Sequence, residues 1–421
     1  MLGQKIFYFR KLRGLTQDQL AQGICSVPHL SKIENDHETP SADMLEHLCK
    51  RLDISIKEID VQGEITSITQ ELDNWYTLIC NRDKKEAKRL FTKLKKQITS
   101  IQDPQVLLKY RIFTLGYQLL IRKMAEAKNQ IDELEPFSKK LDSSLAYYYN
   151  LFYGLYYCLG EDYLEALYLY KQAEHVRDSL GIEDPEIYYH LALVNMNLHR
   201  TYYSINYAEK AAKIYVKSCN YLRSIDCEIL LGVNLTRINN FCEAEKHLLN
   251  ALEASTQLNN KDHISTIYHN LGYLFLMQDQ YQKANNYFKK TTEYAKPERY
   301  EDNVRTYLCL ARTCYKLHDF DHTEHWIEVG LSIAEKYKLE EFLIHFNVLK
   351  GQVNNDMSQE FETLLKNKAI PYFEEKQLWF NVAKYAEILA EYYTKKSKYK
   401  SSSYYYSLVN ESRGKIYEYI T

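Results

Sequence analysis

The chain contains 421 residues, of which 45% are hydrophobic and 26% charged, a balance that argues against wholesale disorder. The formal net charge is −2 and the pI is near 6.7, which excludes a global basic field that would draw the whole protein onto nucleic acid or anionic lipid. Only 13 Gly and 7 Pro occur, too few for a turn-rich all-β chain, whereas 39 Tyr indicate long helices with half-buried aromatic side chains.

The cysteines and the apolar runs indicate the compartment. Nine cysteines are scattered singly along the chain, which favours free thiols in a reducing environment. The N-terminus lacks the apolar core of a signal peptide, and no apolar run approaches the length of a membrane span. We therefore expect a soluble, cytoplasmic protein with no membrane partner.

The first sixty residues are predicted to form short amphipathic helices. Gly14 ends the first helix, Thr16 caps the second, and Ser26 caps the third, in which Pro28 is tolerated because it lies in the first turn. Two short helices joined by a tight glycine turn, Gly23-Ile24-Cys25, are typical of a helix-turn-helix, which places its second helix in the major groove of DNA. The predicted helices cover 3–12, 17–22, a stretch that begins after Ser26, Ser41 to Leu52, and Ser55 to Val61.

This segment closely resembles the Cro/CI-type (XRE) repressor family. The resemblance rests on Leu15-Thr16-Gln17-Asp18-Gln19-Leu20-Ala21 and on Leu30-Ser31-Lys32-Ile33-Glu34-Asn35. It implies that Gln17 holds a phosphate and that the exposed face of the next helix reads base edges. The residues on that face are Ser26, Val27, Pro28, His29, Ser31 and Lys32. The alternative is a five-helix bundle that serves as a protein-interaction module.

Charge in this predicted head bears on how it binds DNA. Residues 1–60 contain eight Lys/Arg and nine Asp/Glu, with positive charge clustered at Arg10, Lys11 and Arg13 and a further Lys32 on the reading helix. So few phosphate contacts make binding by a single head weak. We therefore expect a homodimer, or a tetramer, that binds an inverted-repeat operator in double-stranded DNA.

From about residue 68 the chain repeats with a fixed period. A small residue early in the second helix (helix B) of each tetratricopeptide-like pair recurs every 38 to 40 residues, and a double step then predicts a degenerate repeat around 341–376, where Pro371 interrupts the helical pattern. The positions are 87, 127, 166, 204, 244, 284, 323 and 402. This spacing predicts about nine helix pairs, and hence an all-α chain in which a right-handed tetratricopeptide-type solenoid follows the head. The predicted domains are a DNA-binding domain at 1–62, a linker helix at 63–71 and a repeat domain at 72–421.

The first helix (helix A) of each pair indicates a binding groove. Its large-small signature, best seen in Leu271-Gly272, faces helix B, so the opposite face of helix A lines the concave side of a superhelix. Amides can pair with the backbone of an extended peptide and arginine can bind its terminal carboxylate. The predicted groove residues are Phe152, Leu155, Leu193, Leu230 and Val233, which are apolar, and His190, Asn197, Arg237, Asn270, Tyr273, Arg305, Arg312 and Lys316. The alternative is that some of these polar residues merely bridge neighbouring helices.

The sequence indicates neither catalysis nor metal binding. Cys314, His318, His322 and His325 are close in sequence, but a predicted turn at 318–320 prevents all four from sharing one helix face. No glycine-rich phosphate loop, nucleophile elbow or HExxH motif occurs. We therefore predict no metal, no cofactor and no enzymatic activity.

Between Ala21 and Leu30 the turn Gly23-Ile24-Cys25 makes the spacing one residue shorter than in phage-type repressors. A Cro/CI-type head with this shortened turn, followed by a tetratricopeptide array, resembles the RRNPP regulators of Gram-positive bacteria, in particular the NprR/PlcR-like members. The resemblance covers essentially the whole chain. It implies a cytoplasmic receptor for a short imported signalling peptide, whose binding changes the superhelix or the oligomer and so rearranges the DNA-binding heads. Family members hold the peptide backbone with asparagines on helix A. Asn270 matches that position, while Phe152, Leu230 and Cys309 depart from it.

Two other functions fit the same resemblance. The array could bind a phosphorelay response-regulator protein, as Rap-like members do, linking the protein to sporulation. Alternatively, the protein could be a plasmid or prophage repressor that is likewise controlled by a bound peptide. The sequence specifies neither the peptide, nor the operator, nor whether the bound peptide activates or represses.

Overall fold

The computed structural model describes residues 2–54 and 62–420, and within these ranges the chain forms helices and no strand. The predicted fold class is confirmed, because a helix-turn-helix head is followed by tetratricopeptide-like helical repeats. The predicted helix from Ser55 to Val61 lies outside the described residues. No helix of the described ranges is both long enough and apolar enough to cross a membrane.

The head consists of four described helices, and local capping explains where three of them begin. The side chains of Thr16, Ser26 and Ser41 each accept a hydrogen bond from the backbone N–H three residues later, as predicted from the sequence. The second helix ends at Ala21, one residue before the predicted end. The helices are α1 (Leu2–Leu12), α2 (Gln17–Ala21), α3 (Val27–Glu34) and α4 (Ala42–Leu52). Their apolar faces meet in a core that includes Ile6, Leu20, Leu30, Ile33, Leu48 and Leu52.

The chain divides into two compact units, Met1–His190 and Leu191–Thr421. The first unit contains the head, α5 (Gln62–Cys80), α6 (Lys84–Gln97), α7 (Pro104–Leu120), α8 (Met124–Leu134), α9 (Ser143–Leu159), α10 (Tyr163–Leu180) and the start of α11 (Glu186–Asn197). Two 3₁₀ segments, Ile98–Ser100 and Glu135–Lys140, lie between these helices. The single helix α5 covers both the stretch predicted as a linker and the start of the array.

The second unit continues the same pattern of paired helices. Its elements are α12 (Thr201–Lys217), α13 (Tyr221–Arg237), α14 (Phe241–Gln257), α15 (Lys261–Met277), α16 (Tyr281–Thr292), α17 (Tyr300–Lys316), α18 (Phe320–Lys336), α19 (Glu340–Val353), α20 (Gln359–Thr363), α21 (Ile370–Glu375), α22 (Trp379–Lys395) and α23 (Tyr399–Ile420). From Gln62 onward the described helices form nine successive pairs, if α20, the π-helical segment Leu364–Ala369 and α21 are taken as one interrupted helix.

Small residues on helix A let helix B approach closely. A Cβ built on Gly272 of α15 would lie 2.7 Å from the Phe288 ring of α16, and one on Gly154 of α9 would lie 2.7 Å from the Tyr170 ring of α10. Because both rings are fully buried, the glycines leave room for large side chains in the centre of each pair. The recurring large-small signature therefore has a packing cause.

The eighth pair departs from the pattern at the predicted place. Pro371 has no N–H to donate, and the π-helical turn Leu364–Ala369 directly precedes it. The wider turn keeps the chain helical through the proline, so the repeat is distorted rather than broken.

Most turns between helices contain a residue with left-handed backbone conformation. Asn239, Asn259 and Asp279 have φ of 60°, 49° and 56°. After α13, for example, the N–H of Asn240 bonds to the carbonyl of Leu235 at 2.9 Å, which satisfies a carbonyl at the helix end. These turns are therefore tight without glycine.

Candidate functional site

The predicted reading helix, α3, presents a short polar face above a buried apolar one. Leu30 and Ile33 are buried beneath it. Ser26 Oγ accepts a hydrogen bond from the N–H of His29 at 3.3 Å, so this hydroxyl caps α3. Of the other predicted base-reading residues, Pro28 and Lys32 are exposed, and Val27, His29 and Ser31 are half-buried.

A buried ion pair connects α1 to the end of α3. Arg10 Nε lies 2.5 Å from Glu34 Oε1, Arg10 Nη2 donates to Glu34 Oε2 at 2.8 Å, and both side chains are at most 5% exposed. Gln17 Nε2 donates to the same carboxylate at 2.8 Å, so the start of α2 is also tied to Glu34. Arg10 therefore does not belong to the surface cluster of positive charge that the sequence suggested, since it neutralises a buried carboxylate.

Basic residues on and near the predicted reading helix have acidic partners. Glu38 lies 2.8 Å from Lys32 Nζ and 3.2 Å from His29 Nε2, and its hydrogen bond from Lys32 lowers the pKa of Glu38. Arg13 lies 3.6 Å from Asp53. These exposed pairs are weak, and phosphates can replace the carboxylates.

Within the first unit the head contacts the 3₁₀ segment Glu135–Lys140. Lys140 Nζ donates to Asn35 Oδ1 at 2.8 Å and lies 4.1 Å from the ring centroid of Phe7. The rings of Tyr8 and Phe137 have centroids 5.2 Å apart. The end of α3 and one face of α1 therefore rest on this segment.

In the second unit, α15 has the two faces predicted for a helix A. Leu271 and Phe275 are buried against α16, whereas Tyr273 is 39% exposed on the other side. The half-buried Asn270 makes no side-chain hydrogen bond to any described residue. Its amide, with one acceptor and two donor hydrogens, is therefore available to a ligand.

Two other predicted polar residues are engaged within the protein. Arg237 Nη1 donates to the carbonyl of Met196 at 2.5 Å, so this arginine bridges α13 and α11. Asn197 Nδ2 donates to the carbonyl of Leu193 in its own helix at 3.1 Å. For Arg237 the geometry is that of the alternative interpretation, a contact between helices.

The remaining predicted peptide-contacting residues differ in position and burial. His190 belongs to the first unit, where its ring stacks on Tyr170 with centroids 5.4 Å apart. Leu230 is buried, and Leu193 and Val233 are half-buried.

A polar cluster that the sequence analysis missed joins helices α17, α19 and α22. Glu341 Oε1 lies 3.4 Å from His345 Nε2, and His345 Nδ1 shares a hydrogen bond with the hydroxyl of Tyr385. Arg312 lies beside Tyr385, and Lys384 Nζ lies 5.9 Å from the Tyr385 ring centroid. Only Arg312 of these residues was predicted, because the groove inventory ended before the degenerate eighth repeat.

Arg312 and Lys384 are half-buried cations without an anion. Neither has a carboxylate within ion-pair distance among the described residues. Burial, followed by the charge of Arg312, lowers the pKa of Lys384 to about 7. Burial lowers the pKa of His345 to about 4 and raises the pKa of the Cys309 thiol. At neutral pH, His345 and Cys309 are therefore neutral, and Arg312 and Lys384 share the cluster with one carboxylate, that of Glu341.

No group of three or more His, Cys, Asp or Glu side chains in ranges 2–54 and 62–420 is arranged to hold a metal ion. Instead, the available groups on the helix A face are an unsatisfied amide, aromatic surface and positive charge. Together they suit an extended ligand that carries backbone amides and an anionic group.

Three family profiles match separate parts of the chain. A helix-turn-helix profile matches residues 6–59, the N-terminal profile of response regulator aspartate phosphatase H matches residues 64–122, and a tetratricopeptide repeat profile matches residues 226–296. The helix-turn-helix profile covers the head, the phosphatase profile covers α5 to α7, and the tetratricopeptide profile covers part of the second unit.

Whole-chain similarities extend across both units. The transcriptional activator NprA of Geobacillus stearothermophilus is 32% identical over 398 residues, covering 92% of this chain and 97% of that protein. Response regulator aspartate phosphatase A of Bacillus subtilis (strain 168) is 28% identical over 323 residues, covering 72% and 85% of the two chains. A crystal structure of NprR in complex with its cognate peptide NprX matches with a TM-score of 0.67 at 21% identity, covering 86% of this chain and 100% of that one. The last similarity shows the shared fold.

Proposed function

The chain belongs to the RRNPP family of regulators, and from this premise we propose that it is a quorum-sensing transcriptional regulator that acts in the cytoplasm as a receptor for a short imported peptide. In this proposal residues 72–421 bind the peptide and residues 1–62 bind DNA. The observation that carries it is the face of α15, α17 and α22: there the Asn270 amide has no hydrogen bond, and neither Arg312 nor Lys384 has a carboxylate within ion-pair distance among the described residues.

Asn270 is proposed to hold the peptide backbone. A side-chain amide can pair with the N–H and C=O of one peptide unit, as in strand pairing, and Asn270 has no competing bond. Tyr273, one turn further along α15, offers exposed aromatic surface beside it. Arg237 is proposed to support the groove by holding α11 and α13 together, since its guanidinium already donates to Met196.

Arg312 and Lys384 are proposed to bind a carboxylate of the peptide, either its C-terminus or an acidic side chain. Keeping two partly buried cations without an anion is unfavourable, and a ligand carboxylate relieves this cost in the complex. The planar guanidinium of Arg312 can bind the carboxylate with two hydrogen bonds, and Lys384 adds a second charge. The proposed ligand is therefore an anionic peptide.

Calorimetry with a synthetic heptapeptide library tests this assignment. Each acidic peptide is paired with an amide-matched control, in which Asp becomes Asn or the C-terminal carboxylate becomes an amide. We expect heat from a subset of acidic peptides and at least tenfold weaker binding of their amide partners, about 1.4 kcal/mol. Asn270→Ala should weaken the same peptides, whereas Asn250→Ala on the exposed face of α14 should not. Equal binding of acid and amide forms would refute the carboxylate assignment.

DNA binding is proposed to need two heads. Because Lys32 and Arg13 have carboxylate partners in the free head, one head offers few unpaired cations to phosphates. An inverted repeat bound by a homodimer doubles these contacts. Gel-shift assays with upstream DNA of adjacent genes, combined with light scattering, should show that peptide changes both operator affinity and oligomer mass. If neither quantity changes, the peptide does not act as a switch.

A second candidate function is binding of a phosphorelay response regulator. The match of residues 64–122 to the N-terminal profile of response regulator aspartate phosphatase H favours it. Purified receiver domains, phosphorylated and unphosphorylated, should then co-elute with the full chain and be released by the peptide. If no receiver domain co-elutes, DNA regulation remains the single proposed output.

A further inference from the structure

Helix α6 carries an unusual concentration of positive charge. Seven of its 14 residues are Lys or Arg, and Glu86 is its one acidic residue. Ala87 and Leu94 are buried on one side, and the cations project from the other. They line a shallow groove of about 680 Å³ formed by Lys85, Lys88, Arg89, Thr92, Lys93, Lys96 and Gln97.

Most of these cations are not neutralised by the protein. Arg89 pairs with Glu86 at 2.8 Å and Lys93 pairs with Glu71 at 2.7 Å. The other five have no acidic partner among the described residues, and all five are exposed: Lys84, Lys85, Lys88, Lys95 and Lys96. A chain with a net charge of −2 therefore concentrates free positive charge on one helix.

In the head, by contrast, most of the basic side chains are already engaged within the protein. Arg10 is buried against Glu34, Lys32 pairs with Glu38, and Arg13 pairs with Asp53. Arg51 uses its guanidinium to hold backbone carbonyls at the end of α2, at 2.9 Å from Leu20 and 2.6 Å from Gln22. The element expected to bind DNA is thus poor in free cations.

The chain leads from the C-terminal end of α6 into a helix, α7, that contacts the head. Only residues 98–103 separate Gln97 from the start of α7, and Gln105 in the first turn of α7 contacts Gln4 of α1 at 3.5 Å. Lys95 and Lys96 lie in the last turn of α6, and the next helix, α7, begins with the turn that contacts α1. With 14 residues, α6 is about 21 Å long, comparable to roughly six base pairs of duplex.

We propose that the exposed cationic face of α6 is a second DNA-binding surface, which contacts phosphates of the duplex flanking the base pairs read by the head. It binds without regard to sequence, since side-chain charges meet only backbone phosphates. The duplex is favoured over an acidic protein because α6 belongs to the same compact unit as the DNA-reading head and offers a row of lysines rather than an apolar centre. The inference rests on the proposed DNA-binding function.

Salt dependence of DNA binding tests the proposal. The probe is a fluorescent 40-base-pair duplex of random sequence, titrated with the full-length protein from 50 to 200 mM NaCl. Each phosphate contact adds about 0.9 to the slope of log K against log salt. The quadruple variant Lys85→Gln, Lys88→Gln, Lys95→Gln and Lys96→Gln should lower this slope by about 2 to 4 and weaken binding at least tenfold at 50 mM salt. Glutamine has nearly the same helix propensity as lysine, so α6 should stay helical in the variant. Circular dichroism verifies that the variant is folded.

A matched variant controls for net charge. Replacing four exposed lysines of the second unit removes the same charge and should leave the slope within 0.5 of the unaltered protein: Lys289→Gln, Lys366→Gln, Lys395→Gln and Lys400→Gln. If the α6 variant had the same slope as the unaltered protein, the inference would be wrong. It would be equally wrong if the slope were the same and the variant had lost binding to an acidic protein. Lys32→Gln separates the two proposals, because it should reduce discrimination between operator and random duplex while leaving the α6 contribution in place. A protein that binds no duplex at all would overturn both.

Discussion

The pKa of Lys384 makes peptide affinity depend on pH in a calculable way. In the free protein this pKa is about 7, and a bound carboxylate should raise it by two units or more. Below pH 7 the lysine is already charged, so affinity is nearly constant. Above pH 7 binding must also recruit a proton. The dissociation constant should therefore rise on the order of tenfold to twentyfold between pH 6.5 and pH 8.5.

Two other titratable groups near Lys384, Cys309 and His345, do not change charge across this window. Burial raises the pKa of the Cys309 thiol and lowers the pKa of His345 to about 4. The pH dependence can therefore be attributed to one side chain. At pH 7.5 we expect uptake of about 0.7 proton per bound peptide, which calorimetry in two buffers of different ionisation enthalpy measures.

Substitutions of Lys384 complete the test. Lys384→Arg keeps its charge at all these pH values, so it should bind the acidic peptide with little pH dependence. Lys384→Met should bind weakly at every pH, and Lys395→Met, at the exposed end of the same helix, should behave like the unaltered protein. If the Met variant kept the original pH profile, or if no proton were taken up, the assignment of Lys384 to the carboxylate would be wrong.

The remaining predictions concern packing and the head. Gly272→Ala should destabilise the second unit by about 1–3 kcal/mol in chemical denaturation, because the new methyl group would overlap a buried ring. Gly414→Ala, where nothing lies within 4 Å, should instead stabilise by about 0.5–1 kcal/mol, and equal effects at both glycines would contradict this packing argument. Glu38→Gln should strengthen duplex binding at 100 mM salt on the order of a few-fold by freeing Lys32 for a phosphate, whereas Glu46→Gln on α4 should change it less. If Glu38→Gln has no effect, its ion pairs do not compete with DNA.

Much of the architecture follows from local sequence signals. Thr16, Ser26 and Ser41 mark helix starts because a side-chain oxygen can satisfy an otherwise unpaired N–H within three residues. The recurring small residue marks each helix pair because a glycine or alanine must face a large side chain, as Gly272 faces Phe288. Capping depends on residues close together in the chain, and the small residue recurs at a fixed spacing. Both features can therefore be recognised in a single sequence.

The turns between helices and the eighth repeat are harder to predict from the sequence. Turns such as that at Asn239 use left-handed residues other than glycine, so their sequence signal is weak. Pro371 indicated a disturbance, but the π-helical turn that accommodates it depends on packing around the segment. With the register lost there, Lys384 and Tyr385 could not be assigned to the groove by spacing.

The sequence by itself determined the helical class, the helix-turn-helix and the repeat period, because these depend on capping and periodicity along the chain. Only the tertiary structure decided which charges are neutralised. It buried Arg10 against Glu34, 24 positions away, and left Arg312 and Lys384 without a counter-ion on neighbouring helices. The physical reason is that an ion pair depends on distances across the fold, which composition and spacing do not encode.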